Sequence, residues 1–489
     1  LAIAALIAIS PAQAGDEHWS RQFKKPQASN KMGPNTGMAD GTNKPILRRA
    51  KWHDGKLWVS GAWENGADPQ DSAKKQLNVY WYLWSYSEQE GWRAKCWFSG
   101  TQGGSGPDGK INDFLWLPDG RLVVVGEFMR LDNPGGIMYH RVGAVGIYDP
   151  KEPSANKWKP LGEFQRNGNI RGGTFKCVAY DAQSDSLYLG GSFAGLRGAK
   201  FSAKETLSPG IHRYSFKTKS YEPLPPGVYG AKPIVHKIVI DPSTKPSTIY
   251  VGGAFTWTGG NGKTPMQPDS TARYSNGFAK YQEGQGWTWY PKRGVKPQEG
   301  GKNSILQRAA DYKYFDSVQV LDFLVDGQDV WIVGAFSEGE GSGEKVRGVA
   351  KWDEAKQQWI DPTGKGGFGR ECYSIAKASN GKLYFAGSFG GRSGEGFYDG
   401  FKSGDKAHLA ASYDPKTKVW EQLGTGLGSR SMPECRLMVN GDDVYYIGDF
   451  NYIGGEREGK NKKEDGAYES WYVARWNEGV DFTKSPPKL

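Results

Sequence analysis

Few residues in this chain are suited to metal binding or disulfide formation. Its 489 residues include only 4 cysteines and 6 histidines. No two cysteines have CxxC spacing, so we expect neither a disulfide scaffold nor a structural zinc site. The HExxH, GxSxG, Walker, EF-hand and His-Cys-Cys signatures of many enzymes are also missing. We therefore predict no metal and no cofactor.

Long hydrophobic runs are scarce as well. Beyond the N-terminus no stretch approaches the roughly 20 apolar residues that span a bilayer, so we expect no transmembrane segment in the mature chain. Residues 1–14 read LAIAALIAISPAQA, an apolar run ending in the small-x-small pattern Ala12-Gln13-Ala14. This predicts a signal peptide, cleavage before Gly15, and a secreted, periplasmic or cell-surface protein. A buried strand or a membrane anchor is the alternative.

The chain contains a repeat instead. Alternating apolar and aromatic residues are followed by Gly, a small or acidic residue, and an aromatic residue. The copies are LWVSGAW (57–63), LVVVGEF (122–128), LYLGGSF (187–193), IYVGGAF (249–255), VWIVGAF (330–336), LYFAGSF (383–389) and VYYIGDF (444–450). Seven copies at spacings of about 53 to 81 residues indicate a repeat architecture.

Each copy belongs to a unit of four strands. An Asn-Gly or Asp-Gly turn precedes five copies, as at Asp54-Gly55 and Asp326-Gly327, which predicts a hairpin with positive φ at both central residues. A third strand follows a longer loop, as in TARYSN (271–276), and a fourth carries a Trp or Tyr. We predict an all-β fold, a single seven-bladed β-propeller of four-stranded antiparallel blades.

The pattern resembles the kelch repeat, in which four apolar residues, a Gly-Gly doublet, and two aromatics separated by six residues recur. Full doublets occur at Gly190-Gly191 and Gly252-Gly253. The aromatic pairs are Tyr413 to Trp420, Trp352 to Trp359 and Tyr214 to Tyr221, and the first doublet position is instead Ser60, Val125, Val333, Ala386 or Ile447 in the other copies. The chain is also similar to secreted propellers related to fungal cortical polarity markers and to the galactose oxidase propeller. The copper site of that oxidase cannot be matched here.

The last unit lacks a fourth strand of its own. Residues 17–23 (EHWSRQF) or 480–482 are the two candidates to close the ring as its outer strand. We predict a signal peptide over 1–14, a closing strand and linker over 15–44, the propeller over 45–482 and a tail over 483–489.

The strand order predicts one face with long loops. Connections between strands 2 and 3, and between successive blades, meet there, and variable loops of such scaffolds carry function. Arginine side chains bind carboxylates or sulfates through paired hydrogen bonds, and aromatic side chains stack on sugar rings. The predicted ligand-binding residues are Arg130, Arg141, Arg171, Arg308, Arg370, Arg430, Trp257 and Tyr314. The alternative is that these arginines pair with acidic residues in the same loops.

Three functions remain open. A net charge of +10 favours a binding protein for an extracellular anionic glycan or a protein partner, and export disfavours nucleic acid. A polysaccharide lyase-type or other carbohydrate-active enzyme on the same face would use His140, His408, Tyr398 and Arg370. A structural component of a surface assembly is the third.

Cys372 and Cys435 each follow a Glu at the start of adjacent inner strands. A disulfide between them is geometrically conceivable, and two separate buried thiols are the alternative.

Overall fold

The computed structural model describes residues 15–23, 46–64, 79–99, 103–140, 142–161, 174–193, 208–224, 227–230, 233–259, 272–289, 306–307, 318–336, 338–339, 345–368, 371–387, 410–424, 426–428, 435–450, 452–453, 468–470 and 472–484. Within them, two short 3-10 helices span Asp16–His18 and Ser154–Asn156. No helix in these ranges is long and apolar enough to cross a membrane.

The strands form seven antiparallel sheets arranged as blades, which confirms the predicted all-β, seven-bladed propeller. Numbering strands outward from the central channel, blades 1 to 4 are as follows. Blade 1 is Ile46–His53, Lys56–Glu64, Val79–Ser87 and Gly91–Ser99; blade 2 is Lys110–Trp116, Leu122–Glu127, Val145–Tyr148 and Trp158–Pro160; blade 3 is Thr174–Asp181, Ser186–Ser192, Ile211–Ser215 and Ser220–Pro223; blade 4 is Ile234–Asp241, Thr248–Ala254, Phe278–Gln282 and Gly286–Trp289.

Blades 5 to 7 complete the ring. Blade 5 is Gln319–Asp326, Asp329–Ala335, Val349–Asp353 and Gln358–Ile360; blade 6 is Cys372–Lys377, Leu383–Gly387, Ala410–Asp414 and Val419–Gln422; blade 7 is Cys435–Asn440, Asp443–Gly448 and Val473–Trp476. The predicted third strand at 271–276 was wrong, because the third strand of blade 4 is Phe278–Gln282. Arg273 and Tyr274 pair instead with Trp257 and Thr258, outside the blade.

In blades 1 to 5 the repeated glycine is required by a bulge in the inner strand. In blade 4 the register shifts between Val235 and Lys237, so two residues face one on the second strand. The shift leaves His236 as the extra residue and pairs Val235 with Gly253, where a Cβ atom would overlap the Ile234 carbonyl oxygen. A Cβ would make the same overlap with an inner-strand carbonyl oxygen at Gly61, Gly126, Gly191 and Gly334.

The first position of the doublet varies because only side chains surround it. A Cβ at Gly190 would lie 2.6 Å from Cys177 Sγ and from Val235 Cγ1, and one at Gly252 would lie 2.7 Å from the Phe323 ring. Neighbouring side chains can change size together. The repeat therefore keeps one glycine and varies the other.

The hairpin prediction holds at one of the five turns, because Asp119, Asp326, Asn380 and Asn440 do not have positive φ. Both central residues have positive φ at Asp54-Gly55. In blade 5 Asp326 pairs with Asp329, so the central residues are Gly327 and Gln328, and of these Gly327 has positive φ. The strand extends one residue further than the Asp-Gly pattern predicts, and the glycine becomes the first turn residue.

The cores lie between blades. Seven clusters of buried apolar residues occur among the described residues, and each joins one blade to the next around the ring. The predicted aromatic pairs lie directly opposite each other on strands 3 and 4. Their ring centroids are 4.7 Å apart for Tyr413 and Trp420 and 5.4 Å apart for Trp352 and Trp359. Such pairs stabilise a sheet face beyond simple burial.

The N-terminal segment (residues 15–23) completes blade 7. Trp19 forms an antiparallel bridge with Trp476, and the Ser20 amide donates to the Arg475 carbonyl at 2.8 Å. Trp19 is 1% exposed, in the core between blades 6 and 7, and Phe23 is buried between blades 7 and 1. Residues 480–482 contact this segment in turn, since the Phe482 amide donates to the Glu17 carbonyl at 2.9 Å.

Candidate functional site

The inner strands all begin at the same end of the channel. Because strand order alternates direction, the connections between blades and those between strands 2 and 3 also lie at this end, which we call the long-loop mouth. Six of the seven inner strands have a bulge within their first four residues, and the inner strand of blade 7 pairs without one. Bulges re-aim side chains. The residues that directly follow the six register shifts are Arg49, Asp113, Cys177, Lys237, Asp322 and Ser374.

On one side of the mouth, Asp113 joins three blades. Its carboxylate lies 3.0 Å from Lys51 Nζ and 3.9 Å from Arg49 Nε, both of blade 1. It also accepts a 3.0 Å hydrogen bond from the Val178 amide of blade 3. Asp113 is almost fully buried, so its charge depends on these partners. The carboxylate fixes the positions of two cations at the mouth.

Asp322 makes the corresponding contacts three blades further on. It forms an ion pair with Lys237 of blade 4 and accepts hydrogen bonds from Ser374 Oγ at 2.8 Å and the Ile375 amide at 3.2 Å, both of blade 6. Burial favours its neutral form, but Lys237 and Arg49 outweigh that effect and lower the pKa of the carboxyl group. Asp322 is therefore charged at neutral pH.

Arg49 crosses the channel. Its Nη2 donates to the His236 carbonyl oxygen at 2.9 Å, which links blade 1 to blade 4 on the far side of a seven-membered ring. Its side chain is 16% exposed. Burial disfavours the charge, yet Asp113 and then Asp322 hold the guanidinium pKa above its usual value. A charged side chain thus spans the channel near the long-loop mouth.

His236 lies among cations at this mouth. His236 Nε2 lies 3.2 Å from Gln319 Oε1, and its pKa is lowered to about 3, first by burial and then by Arg436, with smaller effects from Lys176 and Arg49. Lys176 Nζ contacts Glu127 Oε1 at 2.7 Å. His236 is therefore neutral at physiological pH.

Short strands outside the blades add a second layer at the same end. In blade 4, Val228–Tyr229 pairs with Trp257–Thr258, which pairs with Arg273–Tyr274. Blades 2 and 7 have the same three-stranded arrangement, and blade 5 has two strands of it. We call these units the accessory ribbons. Each joins the connection entering a blade to the long loop of that blade.

Two of the predicted ligand-binding residues lie at the same ribbon position. Arg130 begins Arg130–Asp132 in blade 2, and Trp257 begins Trp257–Thr258 in blade 4. Trp257 is half-buried. The Arg130 guanidinium lies 3.3 Å from Asp132 Oδ2 and 3.8 Å from Asp108 Oδ2, so it forms ion pairs with nearby carboxylates.

Most of the other candidates are not among the residues that the structure describes. Arg141, Arg171, Arg308, Arg370, Arg430 and Tyr314 fall outside the described residues, as do His408 and Tyr398. His140 lies in the ribbon strand Tyr139–His140 and pairs with Arg130 through the backbone. Within the described ranges no group of three His, Cys, Asp or Glu could hold a metal ion. The four cysteines, including Cys372 and Cys435, are free and buried.

Sequence reasoning overlooked the polar residues of the inner strands. Arg49, Asp113, Lys237 and Asp322 lie in inner strands that were read as packing elements, and Asp322 has an apolar residue on each side. The available signal was a charged residue in the middle of an apolar strand, as in VQVLDFLV (318–325). Charged residues are almost never buried without a partner, so each such residue predicts a partner on another strand.

No known protein-family profile matches the chain, and no curated protein matches it in sequence. Among solved structures, the Pan2 WD40 domain of Neurospora crassa is similar at 8% identity and a TM-score of 0.40, covering 91% of this chain and 90% of that one. The Pyrococcus furiosus trilobed protease propeller domain has 10% identity, a TM-score of 0.36 and coverages of 86% and 97%. Tricorn protease has 11% identity and a TM-score of 0.32, and the match covers 83% of this chain and 30% of that one. The fold assignment rests on the strand pairing described above.

Proposed function

We propose that this protein is a secreted or cell-surface binding propeller that recognises an anionic extracellular ligand, first of all an acidic glycan, at the long-loop mouth. The observation that carries the proposal is the charge of that mouth. The first four residues of the seven inner strands include six cations and two carboxylates. The cations are Arg48, Arg49, Lys110, Lys176, Lys237 and Arg436, and the carboxylates are Asp113 and Asp322.

This excess of positive charge has a physical consequence. A cleft lined by charge of one sign, with low-dielectric walls, focuses the field and attracts ligands of the opposite sign. The net charge of +10 has the same sign as the mouth. Asp113, Asp322 and Glu127, which pairs with Lys176, hold part of the set in place, and the cations outnumber these carboxylates.

The accessory ribbons add surface suited to a sugar. Trp257 is half-buried on a ribbon at the same end, and an indole presents an apolar face to a sugar ring with little conformational entropy to lose. Arg130 is a weaker candidate, because Asp108 and Asp132 already neutralise it. Arg141, Arg171, Arg308, Arg370, Arg430 and Tyr314 stay predictions from the sequence, because they fall outside the described residues. The kelch-like repeat serves as the scaffold of the site.

Direct binding tests the proposal. Purified protein would be passed over immobilised acidic and neutral polysaccharides at increasing salt, while unsaturated uronate products are followed by absorbance. We expect retention on acidic chains that falls steeply with salt, because exposed ionic contacts are screened within about 8–10 Å at ~0.1–0.15 M salt. Growing absorbance would instead indicate a lyase.

Matched variants place the binding surface. Lys176→Gln with Arg436→Gln removes two cations from the long-loop mouth, and Lys377→Gln with Lys351→Gln removes two at the opposite end, where they pair with Asp326 and Asp329. The first pair should reduce retention at least several-fold and the second should leave it unchanged. Equal losses from both pairs would reject the long-loop mouth as the site. If this protein is retained by immobilised proteins with acidic surfaces but by no polysaccharide, a glycan is not the ligand.

A further inference from the structure

Gly15, the first residue after the predicted signal peptide, occupies a position that only glycine fits. Its φ is +108°, which L-residues with a side chain rarely adopt. A Cβ atom there would lie 3.3 Å from the Cα and amide nitrogen of Gly424, in the turn that follows blade 6, and 3.8 Å from the Trp476 ring. The start of the predicted mature chain therefore packs closely against two blades.

The nitrogen of Gly15 faces a carboxylate. It donates to Glu17 Oε2 at 2.9 Å. Asp16 lies over Gly424, and a Cβ atom added to Gly424 would overlap the Asp16 carboxylate. The other charged groups nearby are His18, whose Nε2 is 3.8 Å from Glu17 Oε1, and Lys484, which interacts with Glu17.

This nitrogen begins the segment that closes the ring. The next residues bridge Trp476 through Trp19, and Trp19 Nε1 donates to the Leu423 carbonyl at 3.0 Å. The Asn477 amide donates to the His18 carbonyl at 3.1 Å. The blade 7 sheet, the turn after blade 6 and the N-terminal segment therefore meet at residues 15–20.

We propose that cleavage of the Ala14–Gly15 bond strengthens ring closure, because the released amine forms an ion pair with Glu17. The inference rests on the proposed export, and it is independent of the ligand. A leader peptidase of the export machinery would add water across the bond, so that Ala14 gains a carboxylate and the Gly15 nitrogen becomes an ammonium group. The neutral N–H donor beside Glu17 then becomes a cation.

The change strengthens an existing contact. Hydrogen bonds between charged partners are about twice as strong as neutral ones, and an α-amine with an ordinary pKa of about 7.7–8.0 is mostly charged at pH 7. The ion pair would hold the first residue of a segment whose Trp19 and Phe23 are buried in two separate cores. Maturation would thereby stabilise the closed ring.

A two-by-two comparison tests the proposal. Four proteins would begin at Gly15 or at Ala14, each with Glu17 or with Glu17→Gln, and the α-amine pKa and the thermal midpoint would be measured for each. With Gly15 first, we expect Glu17 to raise the amine pKa by about half a unit relative to Glu17→Gln. We also expect Glu17→Gln to lower the midpoint more in the Gly15 proteins than in the Ala14 proteins.

The control is Glu90→Gln, which removes an exposed carboxylate paired with Lys56 and should change the midpoint equally in both backgrounds. Equal effects of Glu17→Gln in both backgrounds, or an unchanged amine pKa, would overturn the ion pair. Mass spectrometry of the exported protein tests the cleavage position. A mature chain that does not begin at Gly15 would overturn the inference, even if binding of an anionic ligand is confirmed.

Discussion

Replacing Gly253 with alanine tests the explanation of the repeat directly. Gly253 does not have positive φ, so alanine meets no backbone conformational penalty and the effect isolates one steric contact. The new Cβ would overlap the Ile234 carbonyl oxygen and lie 3.0 Å from both the Ile234 carbonyl carbon and the Val235 Cα. All of these are backbone atoms, so no side-chain rotation relieves the overlap.

The magnitude follows from what must move. Separating the two strands costs about 1–3 kcal/mol for overpacking. One or two backbone hydrogen bonds, at about 0.5–1.5 kcal/mol each, would weaken as well, among them the 2.8 Å bond from the Gly253 amide to the Gly277 carbonyl in the turn before the third strand. We expect Gly253→Ala to lower the free energy of unfolding by about 2–5 kcal/mol.

Gly252→Ala is the matched control, because it places the same methyl group one residue away. There the nearest atoms belong to the Phe323 ring, which can rotate, and blade 6 already has Ala386 at this position. We expect a loss of about 1 kcal/mol. Urea unfolding followed by tryptophan fluorescence measures both variants. If Gly253→Ala loses no more stability than Gly252→Ala, the bulge does not explain the conserved repeat glycine within this chain.

Three further predictions concern ring closure, the mouth and pH. Trp19→Ala should cost about 3–5 kcal/mol in urea unfolding, since this side chain is 1% exposed; a loss below about 1 kcal/mol would show that the N-terminal segment contributes little. Asp322→Asn leaves Lys237 without its carboxylate and should cost about 2–4 kcal/mol, whereas Asp326→Asn at the exposed opposite end should cost under about 1 kcal/mol. His212 is buried, neither ring nitrogen has a hydrogen-bond partner among the described residues, and burial lowers its pKa to about 3. A depressed histidine pKa means that the unfolded chain binds the proton first, so stability should fall as pH drops below about 6.5, by up to about 1.4 kcal/mol per unit for each such histidine. The pKa of His236 is also lowered to about 3, so His212→Leu should remove about half of the slope that the two histidines cause; an unchanged slope would assign the acid sensitivity to other groups.

Part of the functional surface could be read from the sequence and part could not. The long connections were recognised, yet their ribbon strands were not, because pairs such as Trp257–Thr258 are too short to show a period of two. Arg130 was chosen for its charge; its partner Asp132 is two residues on in the same strand, whereas its partner Asp108 comes from the turn before the inner strand of blade 2. Lys176 and Arg436, which set the field at His236, lie four blades apart in the chain.

The sequence by itself determined the blade. Alternating apolar residues, Asp-Gly turns and one glycine per copy are local requirements, because the bulge and the hairpin each involve only residues close in the chain. Tertiary structure alone decided how the blades are joined. The ion pair of Asp322 with Lys237, the reach of Arg49 to blade 4 and the bridge from Trp19 to Trp476 connect residues 85, 187 and 457 positions apart. No local pattern encodes such contacts, because they exist only once the ring brings its two ends and its seven inner strands together.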